Sequence, residues 1–244
     1  MTVAAPAITV HAARLSYDGE ALFDDLDFTL EAGRCTCLLG SSGVGKSSLL
    51  RLIAGLLPDA ASRVECHDGR PLSHRTAYMA QQDLLLPWLS VLDNALLGYR
   101  LRRQTPPRDA AAALLERLGM GNRLTTRPAA LSGGMRQRVA LARTLLEDRP
   151  VILMDEPFSA LDAVTRFRLQ ELAAELLRGR TVLLVTHDPL EALRLGHRIH
   201  VMTGRPARLS EALQPTGETP RDVSDPGLLR LQGQLLKTLA EDAP

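Results

Sequence analysis

The sequence predicts an α/β fold in which a mostly parallel sheet is covered by helices. Two apolar runs, residues 151–155 and 181–186, show no alternation of polar and apolar residues, which is typical of strands buried on both faces. Segments with helical periodicity separate several of the strand-like runs. The 244 residues, of which 45% are hydrophobic, suffice for one large or two small packed units and exclude global disorder.

Strand-like runs are concentrated in the first and last thirds of the chain. They span residues 8–11, 28–30, 35–39, 78–80, 151–155, 181–186 and 198–202. After residue 202 the turn signal Thr-Gly-Arg-Pro leads to a short extended segment. We therefore predict one α/β core made of residues 1–83 and 149–212.

The middle of the chain, residues 84–148, predicts a helical subdomain inserted into this core. It has no convincing strand pattern, and helical periodicity covers residues 91–101, 108–118 and 132–146. Residues 213–244 predict a tail that ends in an amphipathic helix. Asp225 can cap that helix and Pro226 can occupy its first turn.

The overall composition argues against several classes of protein. Aromatic residues make up only 3% of the chain and the net charge is +1, which disfavours a nucleic-acid partner. The three cysteines fit neither a disulfide framework nor a zinc site. No stretch approaches the ~18 apolar residues of a membrane span, and the N-terminus lacks the basic region of a secretory signal, so we expect a soluble cytosolic protein.

The strongest motif is G-x-x-x-x-G-K-S, which lies between a predicted strand and a predicted helix. It consists of Gly40, Ser41, Ser42, Gly43, Val44, Gly45, Lys46 and Ser47. Backbone N–H groups of such a loop and of the following helix N-terminus can surround a phosphate. Lys46 can reach the β- and γ-phosphates of a nucleotide, and the Ser47 hydroxyl can ligate Mg²⁺. The alternative is a glycine-rich turn that binds nothing.

Two later strands end in polar residues that can complete a phosphate site. Asp155 can hold Mg²⁺ through water, and Glu156 can orient or deprotonate an attacking water molecule. His187, directly after the run 181–186, can hydrogen-bond the γ-phosphate or that water. Taken alone, a histidine at a strand end is more often structural.

A second candidate anion site opens the helix at residues 132–146. Ser132 can cap this helix, while Gly133 and Gly134 leave its first N–H groups accessible. An ordinary helix cap is the alternative. Two consecutive glycines in a first turn cost about 1 kcal/mol each relative to alanine, which favours a functional reason.

Taken in order, these motifs resemble the ATP-binding subunit of ABC transporters over about residues 8–210. The resemblance implies a P-loop NTPase (RecA-like) core with an antiparallel β edge. It implies catalytic roles for Lys46, Glu156 and His187, and Mg²⁺ held by Ser47, Gln81 and Asp155. The nucleotide-binding residues that it implies are Tyr17, which stacks on adenine, residues 40–47, Ser48, Gln81, the signature residues Ser132, Gly133 and Gly134, and Asp162 of the D-loop.

The resemblance also implies partners and a location. ATP would bind between the phosphate loop of one subunit and the signature of another in a head-to-tail homodimer. Separate membrane permease subunits and, indirectly, a periplasmic or extracellular substrate-binding protein would complete an importer. The subunit would then be cytoplasmic and peripheral at the inner face of the cell membrane.

Two segments, residues 81–94 and 201–209, are similar to the nitrate, sulfonate and taurine branch of importers. The chain is also similar to subunits that serve uptake of hydroxymethylpyrimidine, a thiamine precursor. The expected function is to energise import of a small polar solute; the alternative is a stand-alone ABC ATPase with a non-transport partner. Trp88, the only tryptophan, is either a core aromatic or part of a groove for a permease helix.

Overall fold

The computed structural model describes residues 5–57 and 60–241. The strands within these residues are β1 (Ile8–Tyr17), β2 (Glu20–Leu30), β3 (Cys35–Leu39), β4 (Ala61–Cys66), β5 (Thr76–Met79), β6 (Val151–Asp155), β7 (Thr181–Val185), β8 (Arg198–Thr203) and β9 (Arg208–Leu209). The helices are α1 (Lys46–Ile53), α2 (Val91–Ala95), α3 (Leu97–Leu101), α4 (Arg108–Arg117), α5 (Gly133–Leu146), α6 (Ala163–Leu176), α7 (Pro189–Leu195) and α8 (Pro226–Glu241). The outer limits predicted for the core and the tail, residues 1 and 244, lie outside the described residues.

A six-stranded sheet in the order β5-β6-β7-β3-β8-β9 forms the centre of the fold. The first five strands in this order are parallel, and only β9 pairs antiparallel. Every residue of β3, β6 and β7 is buried, which explains why the sequences of β6 and β7 lack alternation. The predicted α/β fold with a mostly parallel sheet is thus confirmed.

The antiparallel part is larger than the sequence predicted. Strands β2, β1 and β4 form a separate three-stranded sheet, and β4 was not predicted at all. Most of its residues are exposed or half-buried, so its hydrophobic pattern is weak. The apolar face of this sheet packs with α1 against one face of the central sheet. It therefore holds β3 and α1, which flank the predicted phosphate loop.

Helices α2 to α5 occupy the region predicted to be helical. The helix expected at residues 91–101 is divided into α2 and α3 by Leu96, whose backbone leaves the helical conformation. In α3, Gly98 lies so close to the Glu147 carboxylate that a side chain there would clash. Helix α5 begins as predicted, because the Ser132 hydroxyl accepts a hydrogen bond from the Met135 N–H at 3.3 Å.

The tail packs back onto the core through α8 and the segment that precedes it. Asp225 caps α8 as predicted, accepting the Gly227 N–H at 2.6 Å. The buried guanidinium of Arg221 donates to the carbonyl oxygens at the end of α7 and in the tail itself. These acceptors are Leu193, Gly196, Pro215 and Thr216. The tail is therefore fixed to α7, which begins two residues after His187.

No helix in residues 5–57 or 60–241 has the length and apolar character needed to cross a membrane.

Helix α7 contains a buried carboxylate that makes stability depend on pH. Glu191 is only 4% exposed, and its burial raises its pKa from 4.5 to about 7 although Thr186 and Gln170 interact with it. The folded state therefore holds a proton that the unfolded state has released between these two pKa values. Stability that is present at acidic pH is lost as the pH rises through 7.

We expect Glu191→Gln to stabilise the protein increasingly as the pH rises. Since glutamine carries no charge, the gain in unfolding free energy over wild type should grow by about 2 kcal/mol between pH 5.5 and pH 8. Urea unfolding at both pH values measures this gap. Glu175→Gln, at an exposed carboxylate on α6, is the matched control. Its difference from wild type in unfolding free energy should be the same at pH 5.5 and pH 8. A pH-independent gap for Glu191→Gln would contradict the assignment.

Candidate active site

The predicted phosphate loop connects the carboxyl end of β3 to the first turn of α1. Two of its glycines are required by close packing. A side chain at Gly40 (φ +155°) would lie 2.5 Å from the Met202 carbonyl oxygen, and one at Gly45 (φ +115°) would lie 2.9 Å from the Phe23 ring. The loop is thus held between β8 and the antiparallel sheet, and its shape depends on residues without a Cβ atom.

Lys46 lies inside the loop rather than on its surface. It is 7% exposed, and its Nζ atom donates hydrogen bonds to the carbonyl oxygens of Gly40 at 2.7 Å and Ser41 at 2.8 Å. Burial lowers the pKa of Lys46, while Glu156 and Asp155 act in the opposite direction. The ammonium group is therefore preorganised at the base of the loop, next to two carboxylates.

Asp155, at the end of β6, has the character of a cation ligand. The residue is 1% exposed, and neither carboxylate oxygen has a hydrogen-bonding partner of good geometry among the described residues. Burial raises its pKa, and the neighbouring Ser47 hydroxyl offsets part of this effect. An unpaired buried carboxylate is costly unless a cation compensates it. Asp155 and Ser47 therefore fit a hard divalent cation such as Mg²⁺.

Glu156 and His187 meet directly at the ends of β6 and β7. His187 Nδ1 lies 3.2 Å from Glu156 Oε1, with 61% of the histidine side chain and 17% of the glutamate side chain exposed. The Glu156 backbone has φ +49°, in the left-handed region, and its N–H donates to the Val185 carbonyl oxygen at 2.9 Å. A non-glycine residue in this region is uncommon and often marks a functional constraint.

Gln137 of α5 holds the segment that follows Glu156, and no motif in the sequence marks it for this role. Its Nε2 atom donates to the Glu156 carbonyl oxygen at 2.8 Å, and its Oε1 atom accepts the Ala160 N–H at 2.9 Å. A side chain at Gly134 would lie 3.0 Å from the Ala160 carbonyl oxygen. The glycine therefore has a packing role within the chain in addition to the anion-binding role predicted for it.

Several predicted residues line one cavity of about 260 Å³ beside the phosphate loop. Those that the sequence analysis selected are Tyr17, Gly43, Gly45, Lys46, Ser47 and Ser48. Glu20 and Arg205 also line it and were not predicted. Arg205 belongs to the Thr-Gly-Arg-Pro turn, where the sequence showed a turn signal and a similarity to one importer branch but no site role for the arginine. Within the loop, Ser42 is exposed and the Val44 side chain is buried in the hydrophobic core.

The other predicted residues lie outside that cavity. Gln81 and Gly133 line a separate cavity of about 440 Å³ near Ser159. Ser132 is exposed at the start of α5. Asp162 caps α6, where the Thr165 N–H donates to its carboxylate at 3.0 Å and lowers its pKa. One chain therefore presents two separate features. The first is the cavity beside the phosphate loop, and the second is the surface formed by Ser132, Gly133 and Gly134 at the start of α5, here called the signature surface.

Comparison with protein-family models and comparison with curated proteins point to the same family. The family model described as "ABC transporter" matches residues 23–159. An "Uncharacterized ABC transporter ATP-binding protein" of Haemophilus influenzae is 44% identical over 240 residues, covering 95% of this chain and 98% of its own length. The "Aliphatic sulfonates import ATP-binding protein SsuB" of Delftia acidovorans is 41% identical, covering 98% of this chain and 96% of its own length.

One solved structure has a fold similar to that of this chain. The "Dimeric structure of a post-hydrolysis state of the ATP-binding cassette MJ0796 bound to ADP and Pi" has a TM-score of 0.76 and 26% identity. It covers 86% of this chain and 99% of its own length.

Proposed function

We propose that this chain, which belongs to the ABC transporter family, energises an importer of aliphatic sulfonates by binding and hydrolysing ATP. ATP hydrolysis and a role as an importer's ATP-binding subunit follow from the family and from relatives of almost equal length. The choice of sulfonates rests on the names of those relatives. The observation that carries the catalytic assignment is the contact between Glu156 and His187 beside the buried Lys46 and Asp155.

The nucleotide enters the cavity beside the phosphate loop. Tyr17, which is 49% exposed, offers an aromatic face for adenine. The N–H groups of the loop and the first turn of α1 then surround the phosphates, and Lys46 neutralises the β- and γ-phosphates. Asp155 and Ser47 would hold Mg²⁺, which supplies charge neutralisation at the phosphates, and Gln81 would join them from the separate cavity that it lines.

Hydrolysis needs one activated water molecule. The Glu156 carboxylate orients this water and accepts its proton as the water oxygen bonds to the γ-phosphorus. The bond from that phosphorus to the bridging oxygen breaks, and ADP and inorganic phosphate are left. His187 holds Glu156 through the 3.2 Å contact and hydrogen-bonds the γ-phosphate region. Gln137 keeps the Glu156 backbone in place.

A head-to-tail homodimer completes the site. Ser132, Gly133 and Gly134 lie away from the phosphate-loop cavity of their own chain, so they are free to contact the γ-phosphate held by a second chain. Asp162 lies next to this surface and is proposed to couple the two sites. The dimeric state of the solved cassette supports this arrangement.

The permease is proposed to dock on an apolar groove of the helical region. A cavity of about 370 Å³ lies between β5, α3 and α5, and Leu84, Leu97 and Leu101 line it. Leu84, Trp88 and Leu101 are 58%, 66% and 75% exposed. A short permease helix can place apolar side chains in such a groove. Trp88 does not line this cavity, but its exposure argues against a core aromatic and so favours a role on the permease-facing surface.

A charge in this groove should uncouple the subunit from its permease. We expect Leu101→Glu to abolish copurification with the permease while nucleotide affinity stays at the wild-type value, since Leu101 does not line the nucleotide cavity. Pull-down from detergent extract measures the first quantity. Leu229→Glu, at a leucine of α8 that is 50% exposed, is the matched control and should retain the permease. Retention by Leu101→Glu would contradict the docking site.

The proposed function also places the subunit at the cytoplasmic face of the membrane, with a substrate-binding protein on the other side. Deletion of the gene should prevent growth on an aliphatic sulfonate as the sulfur source but not on sulfate. Loss of growth on hydroxymethylpyrimidine instead would assign the thiamine-precursor alternative. If the purified chain hydrolyses ATP yet never copurifies with a permease, the stand-alone ATPase is correct.

A further inference from the structure

The turn between β8 and β9 is fixed next to the phosphate loop. Met202, at the end of β8, packs its carbonyl oxygen against Gly40. On the other side of the turn, Ala207 is 4% exposed, and its N–H donates to the Leu22 carbonyl oxygen at 2.8 Å. The backbone on both sides of Arg205 is therefore held by the elements that form the nucleotide cavity.

The Arg205 side chain extends from this turn along the wall of the cavity. Its Nη2 atom lies 3.8 Å from the position that a Cβ atom on Gly43 would take. Its Nη1 atom lies 3.7 Å from Glu20 Oε2, and the side chains are 69% and 82% exposed. Among the described residues the guanidinium groups that lie over aromatic rings are those of Arg102 and Arg194, so Arg205 is not stacked on Tyr17.

The charges around the cavity indicate that a bound nucleotide needs a second cationic side chain besides Lys46. Lys46 and Arg205 are the only cationic residues among those that line it, and Glu20 is acidic. Asp155 and Glu156 add negative charge close to Lys46. A bound nucleoside triphosphate brings several further negative charges, which one ammonium group and a bound Mg²⁺ together do not balance.

Arg205 can exchange its contact with Glu20 for a contact with phosphate oxygens at little cost in free energy. Ion pairs between exposed side chains contribute little to stability. A guanidinium group binds phosphate oxygens through paired N–H donors, and this contact is stronger than a single-point ion pair with water on both sides. The Arg205 guanidinium group already lies beside Gly43 of the loop, and Arg205 and Lys46 line the same cavity. A small rotation of its side chain would bring it to phosphates held by the loop.

We propose that Arg205 is a nucleotide-binding residue, whose guanidinium group leaves Glu20 and contacts the phosphates when the nucleotide enters. This inference rests on the proposed function, since it concerns the same site. It assigns to the Thr-Gly-Arg-Pro turn a role beyond connecting two strands. It also makes Glu20 a competitor of the phosphates for the same guanidinium group.

A double-mutant cycle on the binding of Mg-ATP tests the proposal. Arg205→Ala should raise Kd about tenfold, and Arg205→Lys should restore part of the affinity. Glu20→Gln should lower Kd by about two- to threefold, because it frees Arg205. In the double variant Arg205→Ala/Glu20→Gln this gain should disappear. Arg208→Ala, at an exposed arginine of β9 that does not line the cavity, should leave Kd unchanged.

Inorganic pyrophosphate identifies the group that Arg205 contacts. Because pyrophosphate has no base, its competition with a fluorescent nucleotide should weaken in Arg205→Ala as well. Unchanged competition by pyrophosphate, or a Kd for Mg-ATP within twofold of wild type, overturns the inference. If the wild-type chain itself does not bind Mg-ATP, the proposed function fails instead, so the two failures are distinguishable.

Discussion

Replacing Glu156 by glutamine is expected to lower ATP turnover by about 10² to 10⁴-fold while ATP binding is retained. Glutamine has the same shape but cannot accept a proton. It can still contact His187, which lies 3.2 Å from the carboxylate, and its backbone remains held by Gln137. The variant should therefore fold and bind as the wild type does, and fail only when the water must be activated.

The same variant should accumulate as a dimer when ATP is present. Since ATP is not consumed, the contact between two chains persists, and size-exclusion chromatography with and without ATP detects it. Phosphate release measures turnover. Glu211→Gln, at an exposed glutamate outside the site, is the control and should behave as wild type. Near-wild-type phosphate release by Glu156→Gln would falsify the assignment.

Replacing Lys46 by arginine is expected to abolish turnover although the charge is kept. The Nζ atom fits between the carbonyl oxygens of Gly40 and Ser41, 2.7 and 2.8 Å away, in a buried position. A planar guanidinium group is broader, and it does not fit a space shaped around an ammonium group. Forcing it into the loop would displace the backbone N–H groups that hold the phosphates. We expect Kd for ATP to rise at least about tenfold.

The chain offers a matched control for this substitution. Of its 29 basic residues only Lys46 and Lys237 are lysines, and Lys237 lies in α8, away from the site. Lys237→Arg should leave turnover and ATP affinity unchanged. Equilibrium binding and phosphate release compare the two variants directly. Normal turnover in Lys46→Arg would show that the geometry of the loop does not select the ammonium group.

The central sheet was predictable because burial on both faces leaves a direct mark in the sequence. Strands β3 and β6 have the predicted bounds, and β7 is shorter by one residue. The antiparallel strands have one face towards solvent. Only the apolar ends of β1 and β2 were recognised, and β4, where Cys66 is the one buried residue, gave no signal.

The candidate site could be predicted where the proposed function depends on residues adjacent in sequence. The phosphate loop and the pair Asp155-Glu156 were identified in this way. Gln137 and Arg205 were not, because their importance arises from contacts with segments distant in the chain. A glutamine in a helix and an arginine in a turn have many ordinary explanations. Only their positions in the folded chain show which parts of the candidate site they contact.

The separation of the phosphate-loop cavity from the signature surface affects how activity depends on concentration. Because Ser132 and Gly133 do not line the cavity of their own chain, the proposed site would be complete only where two chains have met. Its abundance in dilute solution obeys mass action. A permease that holds two copies side by side would replace that bimolecular encounter with a local one and so confine ATP consumption to assembled transporters.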